Sequence, residues 1–254
     1  ERLSRLYDPL AVRQLILQSH YRGPIDFSDA ALSAAQSGYD RISEAVGQAE
    51  MHTDGEIITV IAPSSDAYHD VGLHYAIAAM LVVLTCVAAL PQYFSNLLVD
   101  ILGGWDHQLP VTIQLTILLG AQILVFLIVR YAMAWMPLRM ALTPRETKER
   151  RVRRRAVTLF RACGEGRTRG RTAILLYLSV AEHRAEIVAD DTISQRVSPE
   201  RWGEAMATLV DQLRGGDPAQ GMIDAIGLIG AVLKEYVPKS DGNPNELPDR
   251  LIEL

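Results

Sequence analysis

Four carboxylates in this sequence are placed to bind a divalent cation, because each follows or begins a predicted strand. Glu56 opens the run EIITVIA and Asp66 follows it, while Asp190 and Asp191 follow the run AEIVA. Strand ends converge on the rim where α/β sheets bind ligands, and carboxylate oxygens suit Ca²⁺ or Mg²⁺. The prediction is a Ca²⁺ or Mg²⁺ site at this rim. The alternative is that these residues cap turns, a common use of aspartate.

Catalytic residues are not assigned by the sequence. A phosphatase would need a nucleophile or a metal-activated water, and in a metal-dependent enzyme Asp66, Asp190 and Asp191 are the candidates to hold the metal. No DxDx(T/V) pattern is present, and no Gly-rich phosphate loop is recognisable. Cys163 has basic neighbours, but without a nearby His or a second Cys an ordinary half-buried thiol is expected.

Two long uncharged apolar runs occupy the middle of the chain, Val71–Leu90 and Val111–Val129. A helix needs about 20 residues to cross roughly 30 Å of hydrocarbon, and both runs have that length. Two such runs joined by a short loop predict a transmembrane hairpin. The alternative is a single, very apolar soluble core.

The distribution of basic residues predicts the orientation of this hairpin. The loop 91–110 contains no Lys or Arg, whereas arginines crowd the segment after the second run. Basic residues close to a span are retained in the cytoplasm. The loop is therefore expected to face outward and both termini to lie on the cytoplasmic side of the membrane, which is expected to be a bacterial inner membrane. The position next to the membrane favours anionic lipid over nucleic acid as the partner of these arginines. The predicted lipid-binding residues are Arg150, Arg151, Arg153, Arg154 and Arg155.

The segments on either side of the two apolar runs contain predicted helices and strands of a soluble domain. Helical spacing of apolar residues indicates a helix over 28–50, and β-branched residues indicate a strand over Glu56–Ala62. A polar helix to about Cys163 precedes two further strands, and two amphipathic helices follow them. The fold class expected from this order is α/β: a three-layer α/β/α sandwich with a small sheet, interrupted by the inserted transmembrane hairpin.

Domain boundaries follow from the same pattern. The predicted parts are an arm over 1–27 without function, the first part of the α/β domain over 28–68, the hairpin over 69–137, the second part of the α/β domain over 138–237, and an extended tail over 238–254.

Several ordered segments resemble the TPM domain family. They are DGEIITVIA with Asp66 after it, RTRGRTAILLYLSVAEHRAEIVAD, the helical pair SPERWGEAMATLVDQLRGGDPAQGMIDAIGLIGAVL, and the closing NELPDRLIEL. The resemblance covers about residues 47–254 and implies an α/β/α sandwich. For function it implies weak acid phosphatase activity, maintenance of membrane complexes, or modulation of membrane receptors. Typical members carry a signal peptide and face away from the cytoplasm, a feature that this sequence does not share.

Residues 5–42 resemble a piece of cysteinyl-tRNA synthetase. The matching run is RLYDPLAVRQLILQSHYRGPIDFSDAALSAAQSGYDRI, which includes HYR-P-DFS. The HIGH and KMSKS signatures that bind ATP are absent, so aminoacylation is excluded. Helix 28–50 is expected to take the place of the first helix of the TPM-like domain, although its beginning is of synthetase type.

The leading functional prediction is a membrane-anchored TPM-like protein that binds a protein partner in the membrane and assembles or maintains a membrane complex at the cytoplasmic face. The alternative is a weak metal-dependent acid phosphatase. The two differ in one structural requirement. Catalysis needs the carboxylates to converge on one cation, whereas binding needs only an exposed apolar or charged surface.

Overall fold

The computed structural model describes residues 29–102, 109–168, 170–240, 246–247 and 251–253. The predicted arm 1–27 and Ser28, the first residue of the predicted helix 28–50, lie outside these residues. In chain order the elements are α1 (Asp29–Glu50), β1 (Glu56–Ala62), α2 (His69–Ala89), α3 (Pro91–Leu102), α4 (Val111–Ala132), α5 (Met136–Leu142), α6 (Arg145–Cys163), β2 (Ala173–Ser179), β3 (Arg184–Ala189), α7 (Asp191–Arg196), a 3-10 turn (Pro199–Trp202), α8 (Gly203–Gly215), α9 (Pro218–Tyr236) and β4 (Ile252–Glu253).

The described residues divide into two compact units. One takes in the residues up to Asp66 and those from Arg145 onward; the other is Ala67–Pro144. The predicted boundary between 137 and 138 falls within helix α5, whereas the structure places all of α5 in the Ala67–Pro144 unit. An insertion of this length is tolerated because the entropy of loop closure rises only logarithmically with chain length.

The first unit is built on a sheet of strand order β3-β2-β1-β4. Strands β1 and β2 run parallel, paired from Glu56 with Ala173 to Ala62 with Ser179. Strands β2 and β3 form the antiparallel hairpin that the sequence predicts. Both inner strands are buried along their full length, which explains their nearly continuous apolar sequences. The predicted α/β class with a small sheet is confirmed.

Apolar side chains pack on both faces of this sheet because successive strand residues point in opposite directions. On one face Ile57 and Leu176 join the core formed with α1, α8 and α9. On the other face Ile58 and Leu175 pack against Val152 and neighbouring residues of α6. Helix α6 therefore covers one face of the sheet.

The carboxyl-terminal tail, predicted to be extended over 238–254, contributes a short strand in its described part. Ile252 and Glu253 pair in parallel with Val60 and Ile61 of β1, and Leu251 is fully buried. The tail thus supplies the fourth strand. A strand of 2 residues is too short to be recognised from its sequence.

The second unit contains two helices that are long and apolar enough to cross a membrane, judged by length and composition. They are α2, with a mean hydropathy of 2.2, and α4, with a mean hydropathy of 2.3. Only 17% of the apolar window of α2 and 6% of that of α4 is buried inside the protein. The two predicted runs are therefore helices with mostly exposed apolar surfaces. The connecting segment 91–110 begins with helix α3; residues 103–108 lie outside the described part.

Candidate functional site

The four carboxylates predicted to bind one cation lie at two opposite edges of the sheet, each edge being formed by one end of the strands. Strand β1 begins at Glu56, and Asp66 comes after its end at Ala62. Seven residues at about 3.3 Å each separate these ends by roughly 20 Å. Asp190 lies at the edge of Glu56, because its N–H donates to the carbonyl oxygen of Ala173 at 2.9 Å. The predicted convergence of Asp66 with Asp190 and Asp191 is therefore wrong, since β3 runs antiparallel to β1.

Glu56 has a structural task at its edge. It is 4% exposed, and its two carboxylate oxygens accept hydrogen bonds from the backbone N–H groups of Glu246 and Leu247 at 3.3 and 3.2 Å. This carboxylate thereby attaches the tail to the sheet. Among the described residues, no group of three or more His, Cys, Asp or Glu side chains is arranged to hold a metal ion.

Asp190 is a buried carboxylate at the start of α7, only 4% exposed. Its Oδ2 has no hydrogen-bond partner among the described residues. Burial raises the pKa of Asp190 above its usual value, the nearby charges of Asp191 and Glu165 raise it further, and the backbone N–H groups of Gly166 and Ala173 offset part of the rise. Asp190 therefore binds a proton more readily in the folded than in the unfolded chain.

The pH dependence of stability should reveal this burial. Since the pKa of Asp190 is raised on folding, its contribution to stability falls as pH increases from the unfolded value near 4 toward neutrality. We expect Asp190→Asn to gain stability relative to the wild type as pH rises from about 4 to about 7. Thermal unfolding of the detergent-solubilised chain measures this, with Asp191→Asn at the exposed neighbouring position as the matched change of charge. Parallel curves for the wild type and Asp190→Asn would contradict the prediction.

The opposite edge carries a hydrogen-bonded chain of hydroxyls, which we call the hydroxyl network: Tyr177, Ser65, Ser179 and Glu182. The Oγ of Ser65 donates to the Oγ of Ser179 at 2.8 Å, and Ser179 donates to Oε2 of Glu182 at 2.5 Å. The backbone N–H of Ser65 donates to Oε1 of Glu182 at 2.9 Å. This edge holds the carboxyl ends of the parallel strands β1 and β2, where α/β proteins commonly bind ligands.

The number of hydroxyl protons determines which group donates in each hydrogen bond of the network. A serine hydroxyl has one proton, and Ser65 gives its proton to Ser179, so the Tyr177 hydroxyl, 3.0 Å away, donates to Ser65. Burial raises the pKa of Tyr177, and the hydrogen bonds with Ser65 and Ser179 oppose this rise. Tyr177 is therefore a neutral donor, and the chain of donors ends on the Glu182 carboxylate. Because Ser65 is the partly exposed member, the network opens toward solvent there.

A groove of about 600 Å³ adjoins the hydroxyl network, and Glu182 belongs to both. Its walls come from the start of α6, the turn before β3, and α8. Four of its lining residues are cationic, namely Arg145, Lys148, Arg184 and Arg214, against the carboxylates Glu149 and Glu182. We call this feature the basic groove. Its charge suits an anionic ligand.

Sequence reasoning missed both features. It singled out Asp66 near this edge and assigned no role to Arg184. In the structure Arg184 forms an ion pair with Glu149 at 2.7 Å. A detectable signal was the polar run Pro63–Asp66 directly after a buried strand, which marks the carboxyl end of β1. The partners Ser179 and Glu182 come from more than 100 positions away and could not be paired with this run from local sequence.

The predicted lipid-binding arginines of α6 fall into two groups. Arg151 pairs with Asp66 at 3.1 Å, and Arg153 pairs with Glu186 at 3.2 Å. Arg150, Arg154 and Arg155 are exposed, and none of them has a carboxylate partner among the described residues. These three remain candidates for contact with anionic headgroups.

Cys163 and Arg169 have the Cys-x5-Arg spacing of cysteine-dependent phosphatases. Cys163 is half-buried and is the last residue of α6. Phosphate groups bind at the amino end of a helix, where backbone N–H groups point outward, and Cys163 lies at the opposite end. Arg169 lies outside the described residues. The spacing therefore receives no support from the position of the thiol.

The family model of the TPM domain, which is named for a phosphatase, matches residues 137–232. This match confirms the TPM resemblance seen in the sequence. The matched residues include α6, β2, β3 and the helices that follow them, up to most of α9. The match carries an association with phosphatase-like function but assigns no specific activity.

The resemblance to cysteinyl-tRNA synthetase is also confirmed, over a short segment. The chain is 43% identical over 68 residues to the cysteine–tRNA ligase of Chlorobaculum tepidum and 49% identical over 51 residues to that of Bacteroides fragilis. These segments are 25% and 20% of this chain. The chain spans only 14% and 10% of the length of these ligases.

One solved structure shares the fold. It is the NMR structure of the BA42 protein from the psychrophilic bacterium Bizionia argentinensis, which is 17% identical with a TM-score of 0.50. The likeness covers 86% of this chain and 93% of that one. At this identity the likeness shows the fold alone.

Proposed function

We propose that this chain is a membrane-anchored TPM-like binding module that holds a protein partner at the cytoplasmic face and so assembles or maintains a membrane complex. Helices α2 and α4 anchor it. Its α/β unit is a three-layer α/β/α sandwich, with α6 on one side of the sheet and α1, α8 and α9 on the other. The basic groove, at the edge where such sheets bind ligands, is the observation that supports binding.

The exposed apolar surfaces of α2 and α4 support anchoring. Leu81 is 57% and Leu119 62% exposed near the middle of their helices. Contact of such continuous apolar surface with water is unfavourable at about 25 cal/mol per Å², and lipid removes this cost. The absence of Lys and Arg from the loop 91–110 and the free arginines Arg150, Arg154 and Arg155 support a cytoplasmic α/β unit that contacts anionic lipid.

The metal-dependent acid phosphatase is the weaker alternative. It depends on one cation held by Asp66, Asp190 and Asp191, and Asp66 lies at the opposite edge of the sheet from the other two. The family model's association with phosphatases leaves such activity to be assayed, but the geometry of the described residues favours binding.

Membrane anchoring can be tested by placing charges in the middle of both helices. We expect the wild-type chain to remain in the membrane pellet after extraction with alkaline carbonate, and the double variant Leu81→Arg, Leu119→Arg to be released or degraded. An arginine at the centre of a span costs about 2.5–3.5 kcal/mol on insertion scales. Glu204→Arg, an exposed position of α8, is the matched control and should pellet like the wild type. Release of the wild type by carbonate would contradict anchoring.

A further inference from the structure

In the part of the chain that the structure describes, strand β3 lies at the edge of the sheet with no strand paired on its outer side. In the order β3-β2-β1-β4 it has a strand neighbour on one side, β2. Asp190 donates its N–H to Ala173 of β2, and hydrogen-bonded and non-hydrogen-bonded pairs alternate along an antiparallel ladder. In this alternation the N–H and C=O groups of Ala185 and Ile187 point away from β2. An edge with such outward backbone groups is a template for an added strand.

The basic groove adjoins the start of this edge strand. Ala185 at the start of β3 lines it, with Arg145 and Lys148 of α6 on one side and Met206 and Val210 of α8 on the other. A strand placed next to β3 would present alternate side chains to the two sides. One set would meet the cations of α6, and the other set would meet the apolar side chains of α8.

Two of the groove's positive charges are uncompensated. Arg184 is paired with Glu149 at 2.7 Å, and Arg214 lies 3.5 Å from Asp211. Within the described residues, neither Arg145 nor Lys148 has a carboxylate at ion-pair distance. A ligand that brings carboxylates to these two residues would complete the charge balance of the groove.

We propose that the basic groove binds an extended acidic segment of a partner protein, which adds to β3 as a further strand. Its carboxylates meet Arg145 and Lys148, its apolar residues meet Met206 and Val210, and its backbone pairs with Ala185 and Ile187. The recognised sequence is therefore an alternation of acidic and apolar residues. Strand addition of this kind takes affinity from the backbone and specificity from alternate side chains. This inference rests on the proposed binding function and specifies the chemistry of the partner.

The test uses the full chain in detergent and a fluorescent peptide of alternating glutamate and valine residues, with binding measured by anisotropy. We expect saturable binding, and an increase in Kd of about tenfold or more in the double variant Arg145→Glu, Lys148→Glu. The double variant Arg161→Glu, Arg167→Glu is the matched control, because it makes the same change of charge at two exposed positions outside the groove and outside the predicted lipid-binding residues. It should bind as the wild type does. Equal weakening in both variants would overturn the groove as the site.

Two altered peptides separate strand addition from simple charge attraction. A peptide of the same composition with glutamates and valines in separate blocks, and one with N-methyl groups that block backbone pairing, should both bind about tenfold more weakly or worse. Equal binding of the N-methylated peptide would overturn the strand addition. Vesicles containing phosphatidylserine provide the lipid arm: if Arg145→Glu, Lys148→Glu abolishes vesicle binding while peptide binding is unchanged, the groove is a lipid site and the proposal fails.

Failure of the groove can be distinguished from failure of the binding module. Cross-linking in membranes compares the wild type with Arg145→Glu, Lys148→Glu. Loss of a specific cross-linked species in this variant, with retention in the Arg161→Glu, Arg167→Glu control, is the expected result. A species retained by both variants would preserve the binding module and overturn only the groove.

Discussion

Replacing Ile42 with alanine should lower the free energy of unfolding by about 2–5 kcal/mol, the range for removing a large buried aliphatic side chain. Ile42 is fully buried in the core shared by α1, α8, α9 and one face of the sheet. Its position is also the last residue of the segment that resembles cysteinyl-tRNA synthetase. The loss of stability would show that the synthetase-like helix has become part of the core of the TPM-like domain.

Urea unfolding of the detergent-solubilised chain, followed by tryptophan fluorescence, measures this effect because Trp202 belongs to the same core. Ser37→Ala, an exposed position on the same helix, is the matched control and should change stability by less than about 0.5 kcal/mol. A cost for Ile42→Ala no larger than that of the control would mean that α1 does not contribute to the core.

Replacing Glu182 with alanine should destabilise the chain by about 1–3 kcal/mol and loosen the carboxyl edge of β1 and β2. The substitution removes both carboxylate oxygens and leaves the Ser65 N–H and the Ser179 hydroxyl without acceptors in a buried place. Glu182→Gln keeps one acceptor oxygen and should cost less. Urea unfolding gives the energy, and amide hydrogen exchange of Ser65 reports the local opening.

Glu204→Ala, an exposed glutamate of α8, is the control for loss of a negative charge and should leave both readouts unchanged. If Glu182→Ala matched it, the hydroxyl network would have no role in holding the edge. A separate effect of Glu182→Ala on peptide binding is also expected, because Glu182 lines the basic groove and positions the turn that leads into β3.

Local elements were largely predictable from the sequence. Strand β1 (Glu56–Ala62) has the predicted bounds, and α8 and α9 are the two predicted amphipathic helices. Both kinds of signal, β-branched runs and apolar residues at helical spacing, are properties of neighbouring residues. The hairpin of β2 and β3 was predictable for the same reason. The short helix α7 was not predicted, since its 6 residues contain too few turns to show an apolar periodicity.

The candidate site was hardly predictable. The sequence pointed to carboxylates at the ends of strands. Whether two such ends lie at the same edge of the sheet depends on the direction in which each strand runs. The antiparallel course of β3 carries Asp190 to the edge of Glu56, and the parallel pairing of β1 with β2 carries Ser65 to Ser179. The short turn between β2 and β3 implies that these two strands run antiparallel. The direction of β1 relative to β2 is not contained in the one-dimensional pattern, because the long insertion between them permits either sense.

The sequence alone determined that two helices are long and apolar enough to span a bilayer, that arginines follow them, and that segments resembling a TPM domain and a synthetase are joined in one chain. Span length and apolar periodicity depend on consecutive residues, so no fold is needed to read them. The tertiary structure alone decided that Glu56 holds the tail, that Glu182 ends the hydroxyl network, and that Arg145 and Lys148 line an open edge strand. Those relations join residues far apart in the chain, and only the strand order and helix packing bring their side chains within hydrogen-bonding or ion-pair distance.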